Sequence, residues 1–288
     1  MANKPDFIIV GAMKCATSSL HTQLAHQPGI FMSTPKEPNF FSDDDQYARG
    51  LNWYEALFKD AQPGDLCGES STHYTKLPTY PQCIQRMSAY LPSVKLIYVM
   101  RHPIDRLVSH YIHQWSQNVF SCDINQAVDQ YEELAAYSCY ARQLEPYIQA
   151  YGKTNILPIF FEAVKSQPQQ ELEKIARFIG YTQPVTWHDN IALQNVSNER
   201  IKRFWGYELL VESNLMTFLR RHLIPQFIRD RVKNNLTMQN RPELDKKHIE
   251  KLTTIFNDDL NTLGTWLGLE ISCDNFATIA KTNALTWK

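Results

Sequence analysis

A strand that leads directly into the start of a helix constrains the fold of this chain most. Residues 7–10 are apolar and mostly β-branched, which predicts a buried strand. Gly11 then opens a turn, and three hydroxyl residues at 17–19 stand where a helix would begin. The free amide groups and the positive dipole end of such a helix attract an anion. Residues 11–19, which we call the anion loop, are therefore predicted to bind a phosphate or a similar group.

The side chains of the anion loop strengthen this prediction. A helix start needs only one capping hydroxyl, whereas here three in a row follow a lysine. The loop differs from the triphosphate-binding motif Gly-x4-Gly-Lys-Ser/Thr, because Lys14 lies three residues after Gly11 and no Gly-Lys pair follows. The predicted binding residues are consecutive: Lys14, Cys15, Ala16, Thr17, Ser18 and Ser19.

Composition limits the class of protein. The chain has 288 residues and a formal net charge of −1, so no global field draws it to nucleic acid or to an anionic membrane. It contains no apolar run of about 18 residues, and its first residues lack the apolar segment of a signal peptide. The six cysteines include no Cys-x-x-Cys pair, which favours free thiols. We therefore expect a cytoplasmic enzyme.

Strands and helices alternate along the first 180 residues. This alternation predicts an α/β fold in which helices cover both faces of a parallel sheet. Further apolar strand patterns follow the first one, near residues 30–32, 66–71, 94–100 and 155–161. We predict helices over residues 46–60, 79–91, 123–152 (in two pieces), 171–179 and 249–267. The chain is expected to form one domain, with a nucleotide-binding core over 1–180 and a helical lid and C-terminal helix over 181–288.

Two polar residues point to a second anion site. Arg101 directly follows a predicted strand, and Ser109 lies two turns into the next predicted helix. A magnesium-dependent phosphate site usually has an Asp at such a strand end, so Arg101 indicates an anion bound without a metal. An ordinary surface arginine in an ion pair is the alternative.

Candidate bases lie in two other segments. Pro35 and Pro38 bracket Lys36 and Glu37, which makes this segment stiff and non-helical, either as a site or as a solvated turn. The strand near 66–71 ends in Glu69, Ser70 and Ser71, and His73 follows; all four are expected at the carboxyl edge of the sheet, where ligands gather. His73 is either a base or a structurally bonded histidine.

Together these motifs resemble the sulfotransferase superfamily, whose members use 3′-phosphoadenosine 5′-phosphosulfate (PAPS). The resemblance covers residues 10–20 for the 5′-phosphosulfate, Arg101 and Ser109 for the 3′-phosphate, and 35–41 for the segment that bears the catalytic glutamate in heparan-type and bacterial members. It implies a P-loop-like fold and transfer of a sulfuryl group to a hydroxyl or amine without a metal. It also implies Lys14 as the stabilising cation and Glu37 as the base, with His73 as second choice.

The chain departs from the family pattern at two positions. Ala16 replaces a usual glycine, and its methyl group narrows the room for the sulfate. Heparan-type members often carry an active-site lysine where this chain has Ser70. Cytosolic members use a histidine base from about this strand end, which favours His73 as a candidate base.

Other functions and acceptors stay open from the sequence. A non-catalytic module that binds the product 3′-phosphoadenosine 5′-phosphate (PAP) would need no base, and a nucleotide kinase would need the missing Gly-Lys-Ser/Thr loop. The acceptor could be a carbohydrate, a small alcohol or phenol, a lipid or a carrier-bound acyl chain. We place its selection in the apolar, helical segment 195–239.

Overall fold

The computed structural model describes residues 4–191, 238, 240–282 and 285–288. At its centre lies a five-stranded sheet in the order β2-β3-β1-β4-β5, in which every pair of neighbours is parallel. The strands are β1 Phe7–Gly11, β2 Ile30–Met32, β3 Leu66–Ser70, β4 Lys95–Met100 and β5 Ile156–Phe160. The parallel α/β sheet predicted from the sequence is confirmed.

Helices follow the strands and cover the sheet. They are α1 Thr17–Ala25, α2 Asp44–Tyr47, α3 Leu51–Ala56, α4 Cys83–Tyr90, α5 Pro103–Ser116, α6 Ile124–Gln130, α7 Glu133–Ala136, α8 Tyr140–Tyr151, α9 Phe161–Ser166, α10 Pro168–Ile179, α11 Lys246–Leu267 and α12 Phe276–Thr282. Every residue of β1 and β5 is buried. This burial explains why the strands are continuous apolar runs.

Three predicted helices differ in the structure. The helix predicted over 46–60 is two short helices, because Gly50 adopts a φ of 82° between them. The segment 123–152 forms three helices instead of two. The helix predicted over 79–91 begins only at Cys83, two residues after a proline. Helical spacing alone does not detect such short interruptions.

The sheet positions the site through the place of β1. β3 pairs with one edge of β1 and β4 with the other. The chain therefore leaves β1 between two neighbouring strands that lie on opposite sides of it. In open α/β sheets a crevice forms at this switch point, outside the carboxyl ends of the strands. The anion loop begins there.

The C-terminal helices pack onto the core. Asp259 of α11 accepts hydrogen bonds of 2.9 Å from the backbone amides of Ala141 and Arg142, in the first turn of α8. The indole N–H of Trp287 donates a 2.7 Å hydrogen bond to the carbonyl of Ile156 in β5. The segment 195–239, which we predict to select the acceptor, lies outside the described residues except for residue 238. The one-domain organisation stays a prediction.

No helix within the described ranges has both the length and the apolar character needed to cross a bilayer.

Candidate active site

A cavity of about 780 Å³ opens at the carboxyl edge of the sheet. Its wall includes residues that follow each of the five strands in the chain. The predicted site residues that line it are Lys14, Ala16, Thr17, Ser18, Ser19, Glu37, His73, Arg101 and Ser109. The structure thus brings every predicted site residue except Cys15 to one cavity.

The anion loop ends at the N-terminus of α1, which begins at Thr17. Ala16 stands at the N-cap in the left-handed region, with φ 62°, and no side chain in the described chain caps the helix. The amides of the first turn have no acceptor within a helix by geometry. These amides and the hydroxyls of residues 17–19 are therefore suited to hold an anion.

Close packing behind the loop requires a glycine. The Thr75 hydroxyl donates a 2.8 Å hydrogen bond to the carbonyl of Val10. A Cβ atom on Gly11 would lie 2.0 Å from that hydroxyl oxygen, which is inside van der Waals contact. Thr75 thus holds the end of β1 in place where the anion loop begins.

The Cys15 side chain faces the core instead of the cavity. It is fully buried, its thiol contacts the carbonyl of Met13 at 3.7 Å, and burial raises its pKa to about 12. Its backbone amide donates a 3.2 Å hydrogen bond to the carbonyl of Ala12. The structure therefore does not bring the Cys15 thiol to the predicted anion site.

Arg101 lies beside the anion loop. Its Nη1 donates to the carbonyl of Lys14 at 3.4 Å, and its guanidinium carbon lies 4.9 Å from the centroid of the Phe161 ring. Its backbone amide donates to the Tyr140 hydroxyl at 3.2 Å. Ser109 reaches the same cavity from α5, so the two predicted anion sites share one cavity.

Glu37 presents an ionised carboxylate to the cavity. Its backbone has a φ of 58° and donates a 2.9 Å hydrogen bond to the carbonyl of Ser70. Lys36 Nζ donates to Oε1 at 2.6 Å, and the Thr72 hydroxyl donates to Oε2 at 3.3 Å. Burial acts to raise the pKa of Glu37, but the charge and hydrogen bond of Lys36 and the charge of Lys76 lower it overall.

A buried acid anchors the segment that carries Glu37. The Ser71 hydroxyl donates to Glu69 Oε1 at 2.6 Å and accepts from the Asn39 amide at 3.1 Å. The Tyr54 hydroxyl donates to the other oxygen of Glu69. Glu69, Ser70 and Ser71 stand at the carboxyl end of β3, as predicted, but they are fully buried and do not line the cavity. They instead hold the segment that carries Glu37 against β3.

His73 lines the cavity near Glu37. Its ring stacks on Tyr80 with 4.9 Å between centroids and 15° between planes. Its Nδ1 is buried without a hydrogen-bond partner among the described residues. Burial and the charge of Lys76 lower its pKa to about 4, so the imidazole is neutral at neutral pH.

The structure adds residues that the sequence reasoning missed. Lys76, Phe161, Lys165, Trp187 and Arg241 also line the cavity. Arg241 and Trp187 lie far along the chain from the motifs. At Trp187 the sequence signal is a large aromatic ring within a polar loop.

Three glutamine side chains hold the segment with Trp187. The side-chain amide of Gln23, in α1, donates a hydrogen bond to the His188 carbonyl and accepts one from the His188 amide. The side chain of Gln27, just after α1, makes the same pair of hydrogen bonds with the Thr186 backbone. The four distances are 2.8–3.0 Å. Gln169 accepts a 2.8 Å hydrogen bond from the Trp187 amide. The Trp187 backbone is therefore fixed relative to α1.

Within the described residues, no group of three or more His, Cys, Asp or Glu side chains could hold a metal ion.

Comparison with known proteins identifies the family. A family model described as the sulfotransferase domain matches residues 4–264, which is most of the chain. The chain belongs to the sulfotransferase family. This confirms the family that the motifs predicted.

Relatives with known names agree with this assignment. This sulfotransferase is 25% identical over 221 residues to human bifunctional heparan sulfate N-deacetylase/N-sulfotransferase 1, covering 70% of this chain and 24% of that protein. It is 28% identical over 191 residues to mouse heparan sulfate glucosamine 3-O-sulfotransferase 3B1, covering 63% of this chain and 47% of that protein. The chain thus spans a quarter to a half of the length of these relatives.

A solved structure shares the fold. The sulfotransferase from Alicyclobacillus acidocaldarius superposes with a TM-score of 0.65 at 23% identity, covering 93% of this chain and 98% of that one.

Proposed function

We propose that this sulfotransferase transfers a sulfuryl group from PAPS to a hydroxyl or amine of an acceptor. The observation that carries the proposal is the meeting of two anion sites in one cavity with a carboxylate. The anion loop with Lys14 provides one site, and Arg101 with Ser109 provides the other. PAPS carries anionic groups on both its 5′ and 3′ positions, so these residues fit it. Phe161 and Trp187 also line the cavity and are aromatic residues of the kind that pack on a purine base.

Bound PAPS would supply the sulfuryl group. Its sulfur would form a bond to the acceptor oxygen or nitrogen as the bond between sulfur and the bridging phosphate oxygen breaks. The electron pair of the broken bond would leave with PAP. Lys14 and the amides of the anion loop would stabilise the negative charge that grows on the leaving phosphate. Arg101 and Ser109 would orient the nucleotide through its 3′-phosphate.

Glu37 is the proposed general base. The acceptor must lose a proton, and the ionised Glu37 carboxylate at the cavity wall can accept it. The hydrogen bonds from Lys36 and Thr72 and the anchor through Ser70 support a fixed direction for this carboxylate. His73 is the alternative base from the same wall. Its depressed pKa and its stacking on Tyr80 favour a role in shaping the cavity.

A carbohydrate is the first acceptor class to test. The named relatives are heparan sulfate enzymes, and heparan sulfate is a carbohydrate. Small alcohols and phenols, lipids and carrier-bound acyl chains complete the screen. The six cysteines are all free in the structure, which supports a reducing compartment such as the cytoplasm.

Two measurements test the proposal. Calorimetry with PAP, with and without a chelator, should show the same tight binding, and AMP should bind more weakly because it lacks the 3′-phosphate. Radiolabelled PAPS should then transfer label to at least one acceptor class. Loss of PAP binding on chelation, or equal affinity for AMP and PAP, contradicts the two-site arrangement. Tight PAP binding without transfer to any class would favour the non-catalytic module.

A further inference from the structure

A buried ammonium group faces the cavity beside Glu37. The Lys76 residue is only 8% exposed, and it lines the cavity together with Glu37, Thr72 and His73. Among the described residues no hydrogen bond or ion pair joins its Nζ to an acceptor. Nζ lies 5.9 Å from the centroid of the Tyr137 ring, a distance at which the ring offers only a weak attraction. Lys76 is therefore a buried basic residue in the cavity wall with no hydrogen-bond or ion-pair partner among the described residues.

Such a group is costly for folding. Desolvation disfavours a buried charge unless a partner compensates it. Burial lowers the pKa of Lys76 to about 8, the charge of Arg106 adds to this effect, and the charge of Glu37 opposes it. A residue selected only for stability would be apolar here. A strongly perturbed cation in a cavity is instead typical of a functional group.

The neighbours of Lys76 place it close to both reacting partners. Thr75, the preceding residue, bonds the end of β1 and packs against Gly11, where the anion loop begins. Lys76 also acts electrostatically on Glu37, and it acts together with Lys14 on the buried His110. Lys76 thus lies near the anion loop on one side and near the proposed base on the other.

We propose that Lys76 is a further catalytic residue, whose ammonium contacts the oxygens of the sulfuryl group during transfer. The inference rests on the proposed function. Sulfur exchanges its bond to the bridging phosphate oxygen for a bond to the acceptor, the acceptor proton goes to Glu37, and Lys76 keeps its three protons throughout. The Lys76 charge would stabilise the oxygens of the sulfuryl group, whereas Lys14 would stabilise the leaving phosphate.

The pH dependence of turnover follows from this role. Five titratable or charged groups surround Lys76. Glu37 comes from the segment after β2, and His73 from the 3₁₀ turn Thr72–Thr75 that directly precedes Lys76. Arg106 and His110 come from α5, and Tyr137 follows α7. The pKa values of Glu37, His73 and His110 lie below their usual values, and that of Tyr137 is raised to about 12. Turnover should therefore fall as the pH rises through about 8, where Lys76 loses its charge.

Comparison of PAPS with PAP tests the contact directly, because PAP lacks the sulfuryl group. By calorimetry without acceptor, Lys76→Met should weaken PAPS binding by about 10-fold and leave PAP binding within about twofold. Turnover should fall by about 10²-fold. Lys76→Arg, which stays charged, should keep more activity and move the alkaline fall in turnover to higher pH.

A matched control lies at the opposite edge of the sheet. Lys95 begins β4 and donates a 3.1 Å hydrogen bond to Asn155, so Lys95→Met should change neither nucleotide affinity. Thermal unfolding of each variant verifies that it is folded. Equal weakening of PAPS and PAP by Lys76→Met, or a change confined to the KM for acceptor, would overturn the proposal. Failure of the proposed function would differ, since the unsubstituted protein would then transfer label to no acceptor class, whether or not it binds PAP.

Discussion

Lys36 donates a 2.6 Å hydrogen bond to the carboxylate of Glu37, its immediate neighbour in the chain. Adjacent side chains usually diverge, but here Glu37 has a φ of 58° and its amide is bonded to the carbonyl of Ser70. The pair is partly exposed, at 24% and 32% of the side-chain surface, so the cavity can still reach the carboxylate. The proposed base and the cation that keeps it ionised are therefore supplied by one dipeptide.

Glu37→Gln should lower turnover by about 10²-fold or more and leave PAP affinity nearly unchanged, because the amide keeps the shape but cannot accept the acceptor proton. His73→Ala should cost much less. Steady-state kinetics and PAP calorimetry on both variants measure this. If His73→Ala has the larger effect on turnover, the histidine is the base and Glu37 only shapes the cavity.

Arg101→Ala should weaken PAP binding by roughly 1.5–3 kcal/mol and AMP binding much less, because the lost charge-assisted bond is directed to the 3′-phosphate. Calorimetry with both nucleotides gives the difference. Lys165→Ala, at the exposed wall of the cavity, is the comparison for a general loss of positive charge. An equal loss for PAP and AMP would mean that Arg101 does not recognise the 3′-phosphate.

Ala16→Gly should stabilise the protein by about 1 kcal/mol, because Ala16 adopts the left-handed conformation that costs an L-residue with a Cβ atom roughly 1–2 kcal/mol. Denaturant unfolding measures the change. Ala176→Gly, in the interior of α10, should have the opposite sign and destabilise by about 1 kcal/mol or more. A destabilised Ala16→Gly variant would show that the methyl group makes contacts that outweigh the strain.

Lys76→Met should raise the free energy of unfolding at pH 7, by roughly 1–3 kcal/mol, because it removes a buried ammonium whose pKa is lowered from 10.5 to about 8. The folded state binds the proton less tightly than the unfolded state. The cost is therefore fully present below pH 8 and disappears as the pH rises toward 10.5. Unfolding experiments at pH 7 and pH 10 should show the advantage of the variant shrinking. An unchanged or lowered stability at pH 7 contradicts the desolvation argument.

His248→Gln should destabilise the protein more at pH 6 than at pH 9. His248 Nδ1 contacts Asp245 at 2.7 Å and Nε2 contacts Asp129 of α6 at 3.1 Å, and these hydrogen bonds raise its pKa. A raised pKa means that the stabilisation is complete below about 6.5 and is lost as the pH rises through the folded-state value. Asp129→Asn should reduce the same pH dependence. A pH-independent effect of His248→Gln would show that the contacts act without the charge.

The strands were predictable because a parallel sheet buried on both faces consists of continuous apolar runs. All five predicted strands occur, and β1 joins the anion loop as expected. The helix over 46–60 was not predictable in detail, since a single Gly50 in the left-handed region divides it.

The cavity residues were predictable only where a motif carries them. Arg101 and Glu37 belong to short motifs, whereas Lys76 belongs to no motif that we identified in the sequence. Its neighbours, which include Arg106 of α5 and the Tyr137 ring, come from other parts of the chain. The contact of the Glu69 carboxylate with Tyr54 was not predictable, because these two residues come together only when α3 packs beside β3.

Helix α1 connects two parts of the site that are far apart in the chain. Its first turn ends the anion loop, while Gln23 within the helix and Gln27 just after it hold the segment that carries Trp187. Helix α1, nine residues long, thus fixes how far the anion loop lies from the backbone on either side of Trp187. Inserting one residue into α1 would rotate the glutamines by about 100° relative to the loop and break their hydrogen bonds to the Trp187 segment, so the length of this helix couples two walls of the cavity.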